Sequence, residues 1–154
     1  EHEVIPSTVP AGILAYSPLQ QGLLTGKYAK TEDCGEGLAR SRLFDPSVSP
    51  KARHTNPGCE SQLWEFVALL RKTAEELGKP MAHVALSWVL QQPHVTAALF
   101  GVSKPEQIAR NAAAAADPIP KETVEKLTEA SAAIKEHVGP NCDLWDDKDG
   151  GRYR

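Results

Sequence analysis

The sequence of 154 residues has no large excess of charge of one sign, no closely spaced cysteines and no long apolar run. The formal net charge is only −3, whereas nucleic-acid-binding domains normally carry a basic patch. The three cysteines, Cys34, Cys59 and Cys142, lie too far apart for a disulfide framework or a zinc site with paired ligands. We therefore expect no nucleic-acid partner, and a reducing, cytoplasmic location.

No apolar run approaches the length of about 18 residues that a membrane span needs, and no basic-then-apolar leader opens the chain. The five histidines show no HExxH motif or other close metal-ligand spacing, so we predict neither a membrane partner nor a metal site. What is present, 41% hydrophobic and 24% charged residues, is typical of one soluble domain. The first residue is Glu1 rather than Met, and we expect the sequence to be part of a longer protein.

Short apolar runs and longer periodic runs alternate along the chain. The runs GILAYS at 12–17 and VTAALFGV at 95–102 predict strands, the second buried on both sides. Residues 29–59, which are rich in Gly, Pro, Ser and charge, predict a long loop. Apolar residues three and four apart, with Gly or Pro at the ends, predict helices at 60–77, 80–92 and 121–138. A capping box with a proline in the first turn, SKPE at 103–106, predicts a helix at 103–116.

This order of elements is typical of a parallel α/β protein. Two parallel strands need further strands and helices to cover them, and a closed (β/α)₈ barrel takes about 250 residues. The predicted fold is therefore a partial (β/α)₈ barrel, of which residues 1–138 form the C-terminal part and residues 139–154 form a polar tail.

The helix after the second predicted strand carries a row of polar residues. Its members are Ser103, Gln107 and Asn111, spaced four apart, with Lys104 and Arg110 beside them. Because the first amides of a helix lack internal partners and lie at the positive end of its dipole, backbone, Ser103 hydroxyl and Lys104 together could hold a phosphate. The alternative is an ordinary capping box, SKPE at 103–106, with a solvated polar stripe.

Two glycines and a lysine follow the first predicted strand, in AYSPLQQGLLTGKY at 15–28. The stretch is not a P-loop, because only three residues separate Gly22 from Gly26 and Tyr28 follows Lys27. The glycines still allow close approach of a ligand to the backbone, and Lys27 could supply a charge for phosphate. A plain loop with a surface lysine is the alternative. Within the long loop, Arg40, Arg42 and Phe44 are the candidates for contact with cofactor or substrate, and a mobile surface loop is the alternative.

The two segments AYSPLQQGLLTGKY and HVALSWVLQQPHVTAALFGVSKPEQIARN, at 15–28 and 83–111, resemble the last two βα units of the aldo-keto reductase family. The resemblance implies a (β/α)₈ barrel, with 12–17 similar to the seventh strand and 95–102 similar to the eighth. It also implies NADP(H) as the cofactor.

The resemblance further implies a set of cofactor-binding residues. The pyrophosphate is expected against Ser17, Pro18, Leu19, Gln20 and Gly22, with Lys27 further along, and the nicotinamide against Tyr16. The 2′-phosphate is expected at Ser103 and Lys104, and the adenine side at Gln107 and Asn111. Arg110 replaces the acidic residue that often stands before this asparagine, and it could instead aid the phosphate.

Members of this family interconvert aldehydes or ketones and alcohols by hydride transfer without a metal, using an Asp, Tyr, Lys and His tetrad. None of the tyrosines here has the family's Asp-x-Ala-x-x-x-Tyr type of context, so we assign no catalytic residue and expect no turnover by this chain alone. A small carbonyl or alcohol would be the substrate of a complete barrel. The alternatives are a non-catalytic NADPH-sensing subunit similar to potassium-channel beta subunits, and a chain that pairs with an N-terminal half-barrel or with itself.

Overall fold

The computed structural model describes residues 11–141 and 143–145. Two strands and six α-helices follow one another in the order β1 (Ile13–Tyr16), α1 (Glu36–Ala39), α2 (Glu60–Glu76), α3 (Met81–Leu90), β2 (Val95–Leu99), α4 (Glu106–Ala116), α5 (Lys121–Ala130) and α6 (Ala132–Val138). Two 3₁₀ segments, Gln20–Thr25 and Thr31–Asp33, lie between β1 and α1. The predicted α/β class is confirmed, and most of the predicted tail lies outside the described residues.

β1 and β2 pair in parallel, with Leu14 opposite Ala97 and Tyr16 opposite Leu99. Because side chains alternate along a strand, Leu14 and Tyr16 share one face of the sheet. That face is open: Leu14 is 61% exposed, Tyr16 76% and Leu99 51%. The prediction that β2 is buried on both sides is therefore wrong, since no strand or helix among the described residues covers the second face.

Helices α2 and α3 form the centre of the molecule. Leu63, Val67 and Leu70 repeat at three- and four-residue intervals along α2 and are buried, as the periodicity predicts. The helix ends before Gly78, whose φ of 61° is a left-handed conformation that glycine adopts without steric cost. The first seven residues of α3 are all buried, because this helix packs between α2, α4 and β2.

The predicted long loop is not a surface loop. Leu38 and Phe44 are fully buried beneath α2, and α1 and the second 3₁₀ segment interrupt the irregular chain. Arg42 donates hydrogen bonds to the carbonyl oxygens of Val138, Asn141 and Asp143. Phe44 and Arg42 therefore stabilise the fold rather than contact a ligand. Their partners are distant in sequence, so local periodicity does not predict these contacts.

The single helix predicted at 121–138 is divided into α5 and α6 at Ser131. The Ser131 hydroxyl donates to the Thr128 carbonyl at 2.8 Å, a bond with the preceding turn of the kind that bends helices. Val124 and Leu127 of α5 remain buried against the core, as the apolar spacing predicts. Trp145 then anchors the chain beyond α6, since its indole Nε1 donates to the Gly37 carbonyl at 2.8 Å.

Candidate functional site

An open cavity of about 740 Å³ lies where the carboxyl ends of the two parallel strands meet. This edge is where open parallel sheets commonly bind ligands, because the loops that follow adjacent strands converge there. The turn after β1, the turn between β2 and α4, the first half of α4 and Ala82 of α3 form its wall.

The structure brings eleven of the twelve predicted cofactor-binding residues to this wall. They are Tyr16, Ser17, Pro18, Leu19, Gln20, Gly22, Lys27, Ser103, Gln107, Arg110 and Asn111. Lys104 is exposed and does not line the cavity. The two sequence segments that predicted a site separately thus face one shared space.

Seven further lining residues are not among those twelve: Gln21, Thr25, Gly26, Ala82, Leu99, Phe100 and Gly101. Of these, Gly26 was already a candidate for close approach of a ligand to the backbone. For Phe100 and Gly101 a signal was available, since they lie near the carboxyl end of the parallel strand predicted at 95–102. Ala82 carries no such signal, because only the packing of α3 against the turn after β1 places it there.

The turn after β1 has an unusual backbone. Ser17, Gln20 and Gln21 have φ angles of 54°, 44° and 51°, in the left-handed region that few residues other than glycine adopt. Such residues cost of order 1–3 kcal/mol each and cluster at ligand-binding sites. Short hydrogen-bonded turns hold them, with the Gln20 amide donating to the Ser17 carbonyl and the Gly22 amide to the Leu19 carbonyl, both at 2.9 Å.

Two buried polar atoms on residues that line the cavity have no protein partner. They are Nε2 of Gln20, a donor, and Oδ1 of Asn111, an acceptor. Asn111 is only 6% exposed, so leaving its oxygen unpaired costs free energy that a ligand donor would recover. One unpaired donor, after β1, and one unpaired acceptor, in α4, thus lie on residues that line the cavity.

The start of α4 differs from the predicted capping box. Glu106 makes no cap; instead Oε1 of Gln107 accepts from the amides of Ser103 and Lys104, at 2.9 and 3.2 Å, and lies 3.3 Å from the Ser103 hydroxyl. Pro105 already has helical angles, so Gln107, four residues after Ser103, lies above the free amides. The capping-box prediction is therefore wrong in its partner residue.

The charge on the cavity wall is positive. Among the described residues, the charged side chains that line it are those of Lys27 and Arg110, and no carboxylate lies on it. The Lys27 ammonium lies 4.8 Å from the centre of the Tyr28 ring, a cation–π distance. A cavity with this charge favours an anionic ligand.

The described residues contain no group of three or more His, Cys, Asp or Glu side chains placed to hold a metal ion. Over the same part of the chain, no helix combines the length and the apolar character needed to cross a bilayer.

The sequence profile of the Aldo/keto reductase family matches residues 10–132. The chain belongs to this family. It is 37% identical over 117 residues to a putative voltage-gated potassium channel subunit beta of Schizosaccharomyces pombe, covering 76% of this chain and 30% of that protein. It is 33% identical over 135 residues to the L-glyceraldehyde 3-phosphate reductase of Escherichia coli O157:H7, covering 87% and 36%.

A probable voltage-gated potassium channel subunit beta of Oryza sativa subsp. japonica is 34% identical over 137 residues, which cover 88% of this chain and 39% of that protein. This aldo-keto reductase chain therefore spans about a third of the length of the curated relatives that it matches. The resemblance inferred from the two sequence segments is confirmed by the family match.

Proposed function

We propose that this chain forms the C-terminal, cofactor-binding part of an NADP(H)-dependent aldo-keto reductase that interconverts carbonyl compounds and alcohols. One observation carries the proposal: the cavity at the strand ends joins a strained turn, two cations, and unpaired polar atoms from two distant segments. Its volume of about 740 Å³ lies in the range of cofactor pockets.

The residues present fit a phosphorylated dinucleotide. The turn at Ser17–Gly22 would hold the pyrophosphate, with Lys27 as a point charge, and the exposed Tyr16 ring would face the nicotinamide. The donors at Ser103 would hold the 2′-phosphate, and Asn111 would accept from the adenine side. The cofactor would supply the hydride; these side chains bind and orient it.

The open face of the sheet supports the proposal that the barrel is partial. Leu14 and Leu99 expose apolar surface that further strands of a (β/α)₈ barrel would cover. We propose that an N-terminal half-barrel covers this face and supplies the tetrad and most of the substrate pocket. The described chain then binds cofactor but performs no reduction alone.

The relatives support a second candidate function. Two of them are named as potassium channel beta subunits, one of these being 37% identical to this chain. In that case the same cavity would sense NADPH for a partner protein without turnover. Capture of a stable partner chain that depends on bound NADPH would favour this function over the enzymatic one.

A titration of the purified chain with NADPH and with NADH, followed by calorimetry, tests the cofactor assignment. We expect saturable binding of NADPH that is at least tenfold tighter than that of NADH, because the wall is positive. Lys27→Gln should weaken both dinucleotides, while the exposed Lys121→Gln on α5 provides a charge-matched control outside the cavity. No binding of either dinucleotide would contradict the proposal for this chain.

Two further measurements test the partial barrel. Turnover of NADPH with a reactive aldehyde by the chain alone would contradict the assignment of catalysis to a separate half. Light scattering after size exclusion tests coverage of the open face: self-association that Leu14→Lys abolishes would show that a second copy covers it. If the chain is a stable monomer, no second copy covers the open face of the sheet, and an N-terminal half-barrel remains the proposed cover.

A further inference from the structure

The last described residues of the chain reach back to α1 and to the segment that follows it. Nε1 of Trp145 donates to the Gly37 carbonyl, and the Arg42 amide donates to the Leu144 carbonyl, both at 2.8 Å. The Arg42 guanidinium donates to three further carbonyls of the same segment. We call residues 138–141 and 143–145 the C-terminal clasp. The clasp lies beyond residue 132, where the family match ends, so that match assigns it no role.

α1 connects these bonds to the cavity wall. The carboxamide of Gln21 lies directly against Gly37, where any Cβ would overlap its oxygen Oε1. Gln21 lines the cavity, and its φ of 51° is one of the left-handed angles of the turn after β1. A helix of only four residues has little stability of its own, so the position of α1 depends on the groups that pack around it. The Trp145 indole and the Gln21 side chain thus meet at one residue of α1.

We propose that Trp145 is a positioning residue for the cavity: its bond to Gly37 holds α1 against Gln21 and keeps the turn after β1 in its strained conformation. Left-handed φ angles at residues other than glycine persist only where the surrounding structure enforces them. The hydrogen bonds inside the turn, such as that from the Gly22 amide to the Leu19 carbonyl, are local, whereas the clasp joins the turn to distant parts of the chain. The inference rests on the proposed function, whose dinucleotide would lie against this turn.

The turn is proposed to hold the pyrophosphate, which NADPH and NADH share. A binding conformation that is only partly populated weakens the apparent affinity by the populated fraction. Loss of the Trp145 bond should therefore weaken both dinucleotides by the same factor and leave the ratio of their dissociation constants unchanged.

Trp145→Phe in the full chain tests the proposal, because it removes the indole N–H and keeps an aromatic ring. We expect both dissociation constants, measured by calorimetry, to rise about fivefold, the equivalent of one hydrogen bond. In the ligand-free chain the Gly22 amide should exchange with deuterium faster, as measured by NMR. Trp88→Phe is the matched control: Nε1 of Trp88 donates to Oγ1 of Thr128 at 2.9 Å and joins α3 to α5, so its loss should lower stability without changing either readout.

A second variant tests whether backbone strain links the clasp to the cavity. Gln21→Gly supplies a residue that adopts a φ of 51° without steric cost, and it removes the side chain that contacts Gly37. The turn then no longer depends on α1. In this background Trp145→Phe should change the dinucleotide affinities by less than about twofold.

Unchanged Gly22 exchange in Trp145→Phe would overturn the inference, as would equal acceleration by Trp88→Phe or an undiminished effect in the Gln21→Gly background. Unchanged affinities in Trp145→Phe, where the wild-type chain binds, would also overturn it. Weakening confined to NADPH would do the same, since Trp145 would then act at the 2′-phosphate. If Gly22 exchange accelerates in Trp145→Phe alone but no variant and not the wild type binds a dinucleotide, the cofactor assignment fails and the positioning role stands.

Discussion

At the scale of single residues, the two cations predicted at the phosphate differ in their position relative to the cavity. Arg110 lines the wall and has no ion-pair partner among the described residues, whereas Lys104, the cation expected at the 2′-phosphate, does not line it. The resemblance implied that Lys104 holds the 2′-phosphate, whereas Arg110 departs from the family's acidic residue and could aid the phosphate. The structure separates them, because the direction of a side chain at a helix start depends on the local turn at Pro105 rather than on residue order.

Arg110→Gln should therefore reduce the preference for NADPH over NADH more than Lys104→Gln does. We expect the ratio of the two dissociation constants to fall about tenfold for Arg110→Gln, the loss of one charge-assisted contact of about 1.4 kcal/mol. Paired titrations of both variants measure this ratio. A larger fall of this ratio with Lys104→Gln would indicate that Lys104, and not Arg110, contacts the phosphate.

Asn111→Leu should separate stability from binding. The unpaired Oδ1 of Asn111 is a cost to the folded chain, so an apolar side chain of similar size should raise the free energy of unfolding by about 1 kcal/mol. NADPH binding should weaken at the same time, because the acceptor is lost. Urea denaturation and titration check the two effects, and a destabilised variant with unchanged binding would show that Asn111 is purely structural.

At the scale of elements, the start signal at 103–106 predicted α4, and periodicity predicted α2 and α3 within a few residues, because each of these two carries a continuous apolar face. It did not predict the contacts that join α3 to the segment between α4 and α5. The Ser87 hydroxyl accepts from the Ile119 amide at 2.9 Å, and Gln91 Nε2 donates to the Ile119 carbonyl at 3.1 Å. Such pairs are distant in sequence and leave no periodic signal.

Ser87→Ala should lower the free energy of unfolding by about 1–3 kcal/mol, because it leaves the amide of the buried Ile119 without an acceptor. Urea denaturation gives this value. The control is Ser61→Ala on α2, whose exposed hydroxyl donates to Glu65, and its effect should be near zero. Equal effects of the two substitutions would contradict the importance of the buried bond.

The same junction predicts a pH dependence. A hydrogen bond and the charge of Lys79, together with the charge of His83, hold the pKa of the Asp117 carboxyl below its ordinary value of 3.8. Because the pKa is lower in the folded state, the stabilisation is complete above 3.8 and is lost as the pH falls through the folded value. Asp117→Asn should thus lower Tm at pH 7, and its effect should shrink as the pH falls further below 3.8, in contrast to Glu129→Gln at the exposed surface of α5.

At the scale of the whole molecule, the core lies under α2 and α3 and extends into the segment that the sequence predicted as a loop. Cys34 and Cys59 are buried in this core. Burial, with smaller contributions from the nearby carboxylates of Asp33 and Glu32, raises the pKa of the Cys34 thiol to about 11. Burial and the charge of Glu60 do the same for Cys59, whose pKa is also about 11.

Both thiols should resist alkylation in the folded chain at pH 8 and react at once in urea, since the thiolate is the reactive form. Mass spectrometry of the two cysteine-containing peptides after a timed pulse of iodoacetamide measures this protection. Rapid modification of either residue without denaturant would show that the irregular segment opens independently of α2 and α3.

The pairing of β1 with β2 also has a kinetic consequence. The two strands contact each other across a chain segment that contains α1, α2 and α3, whereas the helices make most of their contacts with near neighbours. Contacts that close long segments form late, because the loss of chain entropy on closing the loop precedes the favourable energy of the contacts. The helical core should thus assemble first and the strand ends that shape the cavity last, so the amides of β1 should lose hydrogen-exchange protection before those of α2.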